Sequence, residues 1–381
     1  MDGLDPDGEQ RPLQAYGKDK NMHYRDLMEF YKGKRVFVTG HTGFKGSWLC
    51  RILIKAGAYV TGYSLEAPTD PSLFEMSGLE REENFKSVIG DVRNFDQLFR
   101  AYEEAEPEIV FHLAAQPIVI RSYQEPLYTY ETNVMGTVNL LECIRRRDYT
   151  KSVLNVTTDK VYYNDEQGKA FTEDMPLDGY DPYSNSKSCS ELATHSYRSA
   201  FLKEKGVRVS TARAGNVIGG GDFAENRIVP DCVRAALKGE KIIIRNPYSV
   251  RPFQHVLEPL FAYMLIAKRQ LEEESLCDAY NVGPDKEDCV NAGSLADIFC
   301  KSWQEGVSWV NVSKEGPHEA GFLQLDCGRL KSSFGWRPVW NIGRAIEKTV
   351  EFSKGIRDDT PAPVLMEKQI EDFLRDAEGE E

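Results

Sequence analysis

Residues 35–46 read RVFVTGHTGFKG, from Arg35 to Gly46, and this stretch decides the fold. Arg35–Thr39 has the apolar character of a short strand. It runs straight into Gly40, Gly43 and Gly46, after which apolar residues recur at Trp48, Leu49, Ile52, Leu53 and Ala56. That recurrence is helical, so a helix is expected from Gly43 to Ala56. Glycines at such a turn let the backbone bend tightly and approach a pyrophosphate, while the helix N-terminus faces the anion. A tight turn without a ligand would look similar. The position after the first strand favours dinucleotide binding.

The pattern continues outward in alternation. Strands are expected at Tyr59–Leu65, Lys86–Ile89, Ile109–Leu113, Ser152–Thr157 and Val207–Ala212. Helices are expected at Phe95–Glu104, Pro126–Arg147 and Pro182–Lys205. Strands alternating with helices give an α/β fold, a doubly wound parallel Rossmann sheet. The rhythm breaks after Arg213, where Gly219, Gly220, Gly221, Pro230, Pro247, Pro252 and Pro259 punctuate shorter elements. A smaller C-terminal substrate-binding lobe is expected there. Four regions follow: a flexible extension over 1–32, weakly helical through Tyr24–Tyr31; a Rossmann domain over 33–213, with later segments returning to it; a lobe built mainly from 214–356; and an acidic, unpatterned tail over 357–381.

The composition bounds the function. The chain has 381 residues, 41% hydrophobic and 28% charged, which suits a folded chain of one large or two ordinary domains. Sixty acidic against 47 basic residues give a net charge of −13. A surface this acidic argues against a nucleic-acid partner. No apolar run is long enough to span a membrane, and no secretory leader is evident. The eight cysteines are scattered without a C-x-x-C pair and the six histidines are dispersed, so free thiols, a cytoplasmic location and no metal site are expected.

Two further clusters carry chemistry. Tyr183 and Lys187 form a Y-x-x-x-K on a helix, where residues four apart share a face. A lysine cation there is expected to lower the tyrosine from its usual pKa of about 10. Thr157, Thr158, Asp159 and Lys160 follow the fifth strand, at the sheet edge where ligands bind. Oxidation or epimerisation needs Thr158, Tyr183 and Lys187 alone. An added acid, Asp159, beside an added base, Lys160, suggests elimination of water as a second task. Finally, residues 213–251 hold seven bases and four acids, a local +3 suited to a diphosphate.

The spacing G-x-x-G-x-x-G resembles the extended short-chain dehydrogenase/reductase superfamily. Gly90-Asp91-Val92, His112-Leu113-Ala114-Ala115 and Asn133 match it in order. The resemblance implies cofactor contacts from Gly40, Gly43, Phe44, Gly46, Ser64, Asp91, Val92, Leu113, Ala114, Ala115, Asn133, Tyr183 and Lys187. One departure concerns the second strand, which usually ends in an acid that binds the adenosine ribose. Here the position holds Ser64, so NAD is expected over NADP, with looser binding than an acid gives.

Thr158-Asp159-Lys160 narrows the resemblance to the nucleotide-sugar 4,6-dehydratases, and within them to the CDP-glucose branch. The strings GYDPYSNSKSCSEL, ARAGNVIGGGDFAENRIVPD and IIIRNPYSVRPFQHVLEPL also carry it, over roughly Gly33 to Lys354. The activity so implied turns CDP-glucose into CDP-4-dehydro-6-deoxyglucose plus water. Tyr183 would be the C4 base, Lys160 the C5 base and Asp159 the acid for the C6 hydroxyl. Asn216, Arg227 and Arg251 would hold the nucleotide diphosphate. A homodimer or homotetramer paired through the two long helices is implied as well. A dTDP-glucose or GDP-mannose dehydratase, an epimerase and a non-catalytic NAD-binding scaffold remain the alternatives.

Overall fold

The computed structural model describes residues 23–312 and 322–379. Residues 1–22 of the expected extension, 313–321 of the lobe and 380–381 of the tail lie outside it. Seven parallel strands form the main sheet: β1 (Arg35–Thr39), β2 (Tyr59–Ser64), β3 (Phe85–Ile89), β4 (Ile109–His112), β5 (Ser152–Thr158), β6 (Arg208–Ala214) and β7 (Ala279–Val282). Their spatial order is β7-β6-β5-β4-β1-β2-β3. The order reverses at β1, so the crevice at the carboxyl ends of β1 and β4 is a topological switch point, where open α/β sheets bind ligands. Residues 279–282 return to this sheet from beyond the lobe.

The longer helices among the described residues, in chain order, are α1 (Tyr24–Tyr31), α2 (Phe44–Lys55), α3 (Phe95–Ala105), α4 (Gly136–Arg146), α5 (Pro182–Tyr197), α6 (Ile228–Lys238), α7 (Leu257–Glu272), α8 (Ala292–Trp303), α9 (Ile342–Arg357) and α10 (Ala362–Glu378). Helices α3, α4 and α5 cover one face of the sheet, and α2 and α7 the other. The expected helix over Pro126–Arg147 is continuous in path but bulges through a π turn at Glu131–Met135. The one expected over Pro182–Lys205 ends its α-helical part at Tyr197 and runs on as a π turn, Arg198–Leu202. Asp181 starts α5 firmly. Its carboxylate accepts from Ser184 N at 3.0 Å, and Pro182 fills the first helical position, where a missing N–H costs nothing.

The lobe has its own core. Val229, Leu295, Phe299, Trp303 and Ile346 pack among α6, α8 and α9.

The two ends differ from the sequence expectation. Residues 24–31 are a packed helix: Tyr24, Leu27 and Tyr31 are buried, and the Tyr31 hydroxyl donates to Met264 O at 2.7 Å. The tail is also a helix, α10, with Leu365, Met366, Ile370, Phe373 and Leu374 buried. Phe373 stacks on Phe261 of α7 at 4.9 Å, and Tyr24 meets both rings edge-on. The more exposed acids of this amphipathic helix find cations, as Glu367 and Glu371 do with Lys55 at 2.8 and 2.7 Å, while the buried Asp372 pairs with the buried Lys348 at 2.5 Å. Net charge masked the apolar seam.

Candidate active site

The cradle after β1 is built by backbone. Gly40 has φ +79°, and a Cβ there would lie 2.8 Å from Ala114 N. A Cβ on Gly46 would fall 2.1 Å from Gly40 O. Both glycines are therefore demanded by the fold itself. Gly43 is different: a Cβ there meets only Gly40 O, at an ordinary 3.5 Å. Packing does not require glycine at 43. A ligand approaching the backbone at the start of α2 would, and this is the observation by which the cradle fits a dinucleotide.

The loop after β4 is tied to the same place. Thr39 Oγ1 accepts from Leu113 N at 3.1 Å and Ala114 N at 3.2 Å, and pairs with His112 Nδ1 at 2.7 Å. Burial holds His112 down at about 3, so its ring is neutral. Ala115 continues this loop beyond β4. Ser64 ends β2, where its hydroxyl accepts from Thr42 at 3.0 Å. The Asp91 carboxylate is claimed by Arg93 at 2.6 Å, and Val92 packs against Gly136. Asn133 departs from the expectation of a cofactor contact. Its amide bonds Gln116 O, Gln116 N and Ser186 Oγ at 2.8–3.1 Å, and it is 1% exposed. It locks the β4 loop to α5, so its role in this arrangement is internal. Phe44 opens α2 and packs against the core.

The catalytic candidates meet at the end of β5. Thr158 caps a short turn, Asp159–Val161. Its hydroxyl donates to Asp159 Oδ1 at 3.0 Å and is bonded by the Tyr183 side chain. Asp159 is 2% exposed and its Oδ2 has no partner. Burial raises its proton affinity, against the pull of Lys160, Thr158 and Arg251. A carboxyl that burial makes hold its proton more tightly is better suited to act as an acid. Lys160 is half-buried and, among the described residues, forms no ion pair within 4.0 Å. A closed Asp159–Lys160 salt bridge is therefore not what the turn is built for.

Tyr183 and Lys187 both project from α5 toward this turn. Two points correct the sequence expectation. Tyr183 is pushed up to about 12, because burial outweighs the Thr158 bond. The Lys187 ammonium donates to Val156 O at 3.0 Å, and burial lowers it to about 8. Lys187 still carries its proton at neutral pH, but the groups that pull Tyr183 down are Thr158 and Arg227, and burial outweighs them.

The substrate candidates divide. Arg227 pairs with Asp222 at 3.0 Å and also faces Tyr183 and Lys45 electrostatically. Arg251 is 6% exposed and faces Asp159. Asn216 contributes its backbone carbonyl, which accepts from Gln254 N at 3.0 Å. Arg213, counted with the basic segment, points inward and pairs with Glu191 at 2.9 Å. It adds nothing to a diphosphate site.

One residue was passed over in sequence. Lys45, in the first turn of α2, turns into the site: its ammonium lies 5.9 Å from the Tyr263 ring centroid. Burial, with Lys187 and Arg227 nearby, lowers it to about 7, and Asp159 pulls the other way. A lysine among the apolar residues of a cradle helix was the available signal.

A switch-point cradle facing a Tyr–Lys helix and a Thr–Asp–Lys turn defines an enzyme of the extended short-chain dehydrogenase/reductase type. A family model described as GDP-mannose 4,6 dehydratase matches residues 37–349. The chain is 44% identical to the CDP-glucose 4,6-dehydratase of Salmonella typhimurium, over 91% of this chain and 97% of that one. It is 28% identical to a dTDP-glucose 4,6-dehydratase of Xanthomonas campestris pv. campestris, over 83% of this chain and 92% of that one. The crystal structure of dTDP-glucose 4,6-dehydratase from Bacillus anthracis in complex with NAD superposes with a TM-score of 0.70 at 22% identity, covering 85% of this chain and 97% of that one. The chain belongs to the GDP-mannose 4,6-dehydratase family, and is a nucleotide-sugar dehydratase of the short-chain dehydrogenase/reductase type.

Proposed function

We propose that this protein converts CDP-D-glucose to CDP-4-dehydro-6-deoxy-D-glucose and water. The observation that carries it is the buried Asp159, one oxygen unpartnered, in the same turn as Lys160 and opposite Tyr183 and Lys187. The 44% identity to the Salmonella enzyme supports the nucleotide. NAD bound at the cradle would supply a hydride acceptor for C4 and a hydride donor for C6. Gly40, Gly43, Gly46 and the Leu113–Ala115 loop would hold it, with Ser64 at the adenosine ribose.

The side chains do the proton work. Tyr183 takes the proton of the C4 hydroxyl, and Thr158 hydrogen-bonds the C4 oxygen. The C4 ketone acidifies the C5 hydrogen, which Lys160 removes and, once hydride has reached C6, returns as a proton to C5. Asp159 protonates the C6 hydroxyl as it leaves. Arg227 and Arg251 hold the diphosphate with Asn216. The exposed side chains of Leu127, Met135, Leu192 and Phe201, on the two long helical segments, support a homodimer or homotetramer paired through that face. All eight cysteines are free thiols, which fits a cytoplasmic location. Among the described residues no helix is long and apolar enough to cross a membrane.

The test is incubation with NAD and, separately, CDP-glucose, dTDP-glucose, UDP-glucose and GDP-mannose. The keto product is read by its absorbance in alkali. CDP-glucose is expected to react fastest. A preference for another sugar nucleotide would overturn the nucleotide assignment, and no keto sugar from any would overturn the activity.

A further inference from the structure

Behind the reaction centre lies a buried ion pair that the mechanism does not use. Glu191 of α5 and Arg213 of β6 are each 4% exposed. The Glu191 carboxylate accepts from Arg213 Nη2 at 2.9 Å, from Thr211 Oγ1 at 2.7 Å and from Thr157 Oγ1. Arg213 Nη1 donates onward to the Tyr162 hydroxyl at 2.9 Å and to Glu173 O at 3.0 Å. Tyr162 in turn donates to Asn281 of β7 at 2.6 Å. A buried pair of this kind is a poor device for stability alone, because desolvation offsets its attraction and apolar residues of the same volume serve as well. Its placement needs another reason.

That placement is specific. Glu191 stands one helical turn beyond Lys187, on the same face of α5. Thr157 directly precedes Thr158 and Asp159, and Tyr162 follows Lys160 by two residues. One carboxylate thus joins the helix bearing Tyr183 and Lys187 to the strand that delivers the acid. It is also the acid that holds Lys187 up against burial. The other charged or titratable groups facing Lys187 are Lys45 of α2, which repels it, and the neutral His112 of β4. Asp159 and Tyr183 lie across the site, and Arg213 sits behind Glu191.

We propose that Glu191 is a positioning residue of the dehydratase: its carboxylate ties the Tyr183–Lys187 helix to the strand that carries Thr158 and Asp159, and it stands as the counter-charge to Lys187 one helical turn away. This rests on the roles given above to Tyr183 and Lys187. Lys187 in its charged form is lost as pH rises through its pKa, so activity has an alkaline limb there. Removing the Glu191 charge destabilises the cation and moves that limb to lower pH.

The experiment compares wild type, Glu191→Gln and the double variant Glu191→Gln/Arg213→Met, by melting temperature and by the pH profile of keto-product formation. Glu191→Gln leaves Arg213 buried without its partner, so its melting temperature should fall. In the double variant that penalty is relieved, and the melting temperature should return toward wild type. The alkaline limb should stay displaced downward by roughly 1 pH unit in both. A double variant with both wild-type melting and the wild-type pH profile would overturn the inference, leaving a structural role only. If Glu191→Gln does not fold, the double variant carries the comparison alone. A wild type that makes no keto sugar from any nucleotide sugar would instead remove the dehydratase reading, and this inference with it.

Discussion

The turns after β1 and after β5 sit at the same edge of one sheet and work by opposite means. The first acts through backbone: three glycines in seven residues, no charged side chain required, and a shape set by what a Cβ would strike. The second acts through side chains whose charge depends on burial: Asp159 raised, Lys187 lowered to about 8, Tyr183 raised to about 12. A backbone device can be read from residue types at fixed spacing. A charge device cannot, because the shift comes from atoms far away in sequence.

The sharpest way to break the contrast is Asp159→Asn. It should lower dehydration by about 10²–10⁴-fold, the range for loss of a general acid. C4 oxidation, read as transient NADH absorbance, and NAD affinity should fall far less. Equal losses in all three would mean that the β5 turn is structural, like the β1 turn. Shape, by contrast, should dominate at Gly46→Ala. The added Cβ collides with Gly40 O, so unfolding should cost about 1–3 kcal/mol less, measured by denaturant melts, and NAD affinity should drop with it.

The pH profile sharpens the charge side. Lys187 must carry its proton to act, and its pKa is lowered to about 8. Activity should therefore be intact below that value and decline as pH rises through it. A plateau extending to pH 10 would place Lys187 outside the mechanism. The smallest effect is expected at Gly43→Ala, where the Cβ has room. Stability should change by no more than about 0.5 kcal/mol, while NAD affinity falls because the side chain stands where a ligand would lie. An unchanged affinity would remove Gly43 from the cradle.

The termini give a second lesson about legibility. Leu365, Met366, Ile370, Phe373 and Leu374 carry helical spacing that was visible in principle. Nine acids among residues 357–381 made the segment read as an acidic, unpatterned tail instead. Phe373→Ala should cost about 3–5 kcal/mol of stability, as for a buried ring, where a loose tail would lose nothing.

From sequence alone, the first six strands of the sheet, the glycine spacing of the turn after β1 and the candidate set around the end of β5 were legible, whereas β7 at Ala279–Val282 was not. Each is written in local spacing: period two or 3.6 for elements, glycine positions for the turn, four residues between Tyr183 and Lys187. Tertiary structure decided which polar residues face the site and which face the core. It sent Arg213 inward to Glu191, spent Asn133 on Gln116 and Ser186, and turned Lys45 toward Asp159. It also decided which way the proton affinities of the candidate catalytic groups move. Orientation and proton affinity both depend on what other segments bring to a side chain, and that information is distributed over the whole fold.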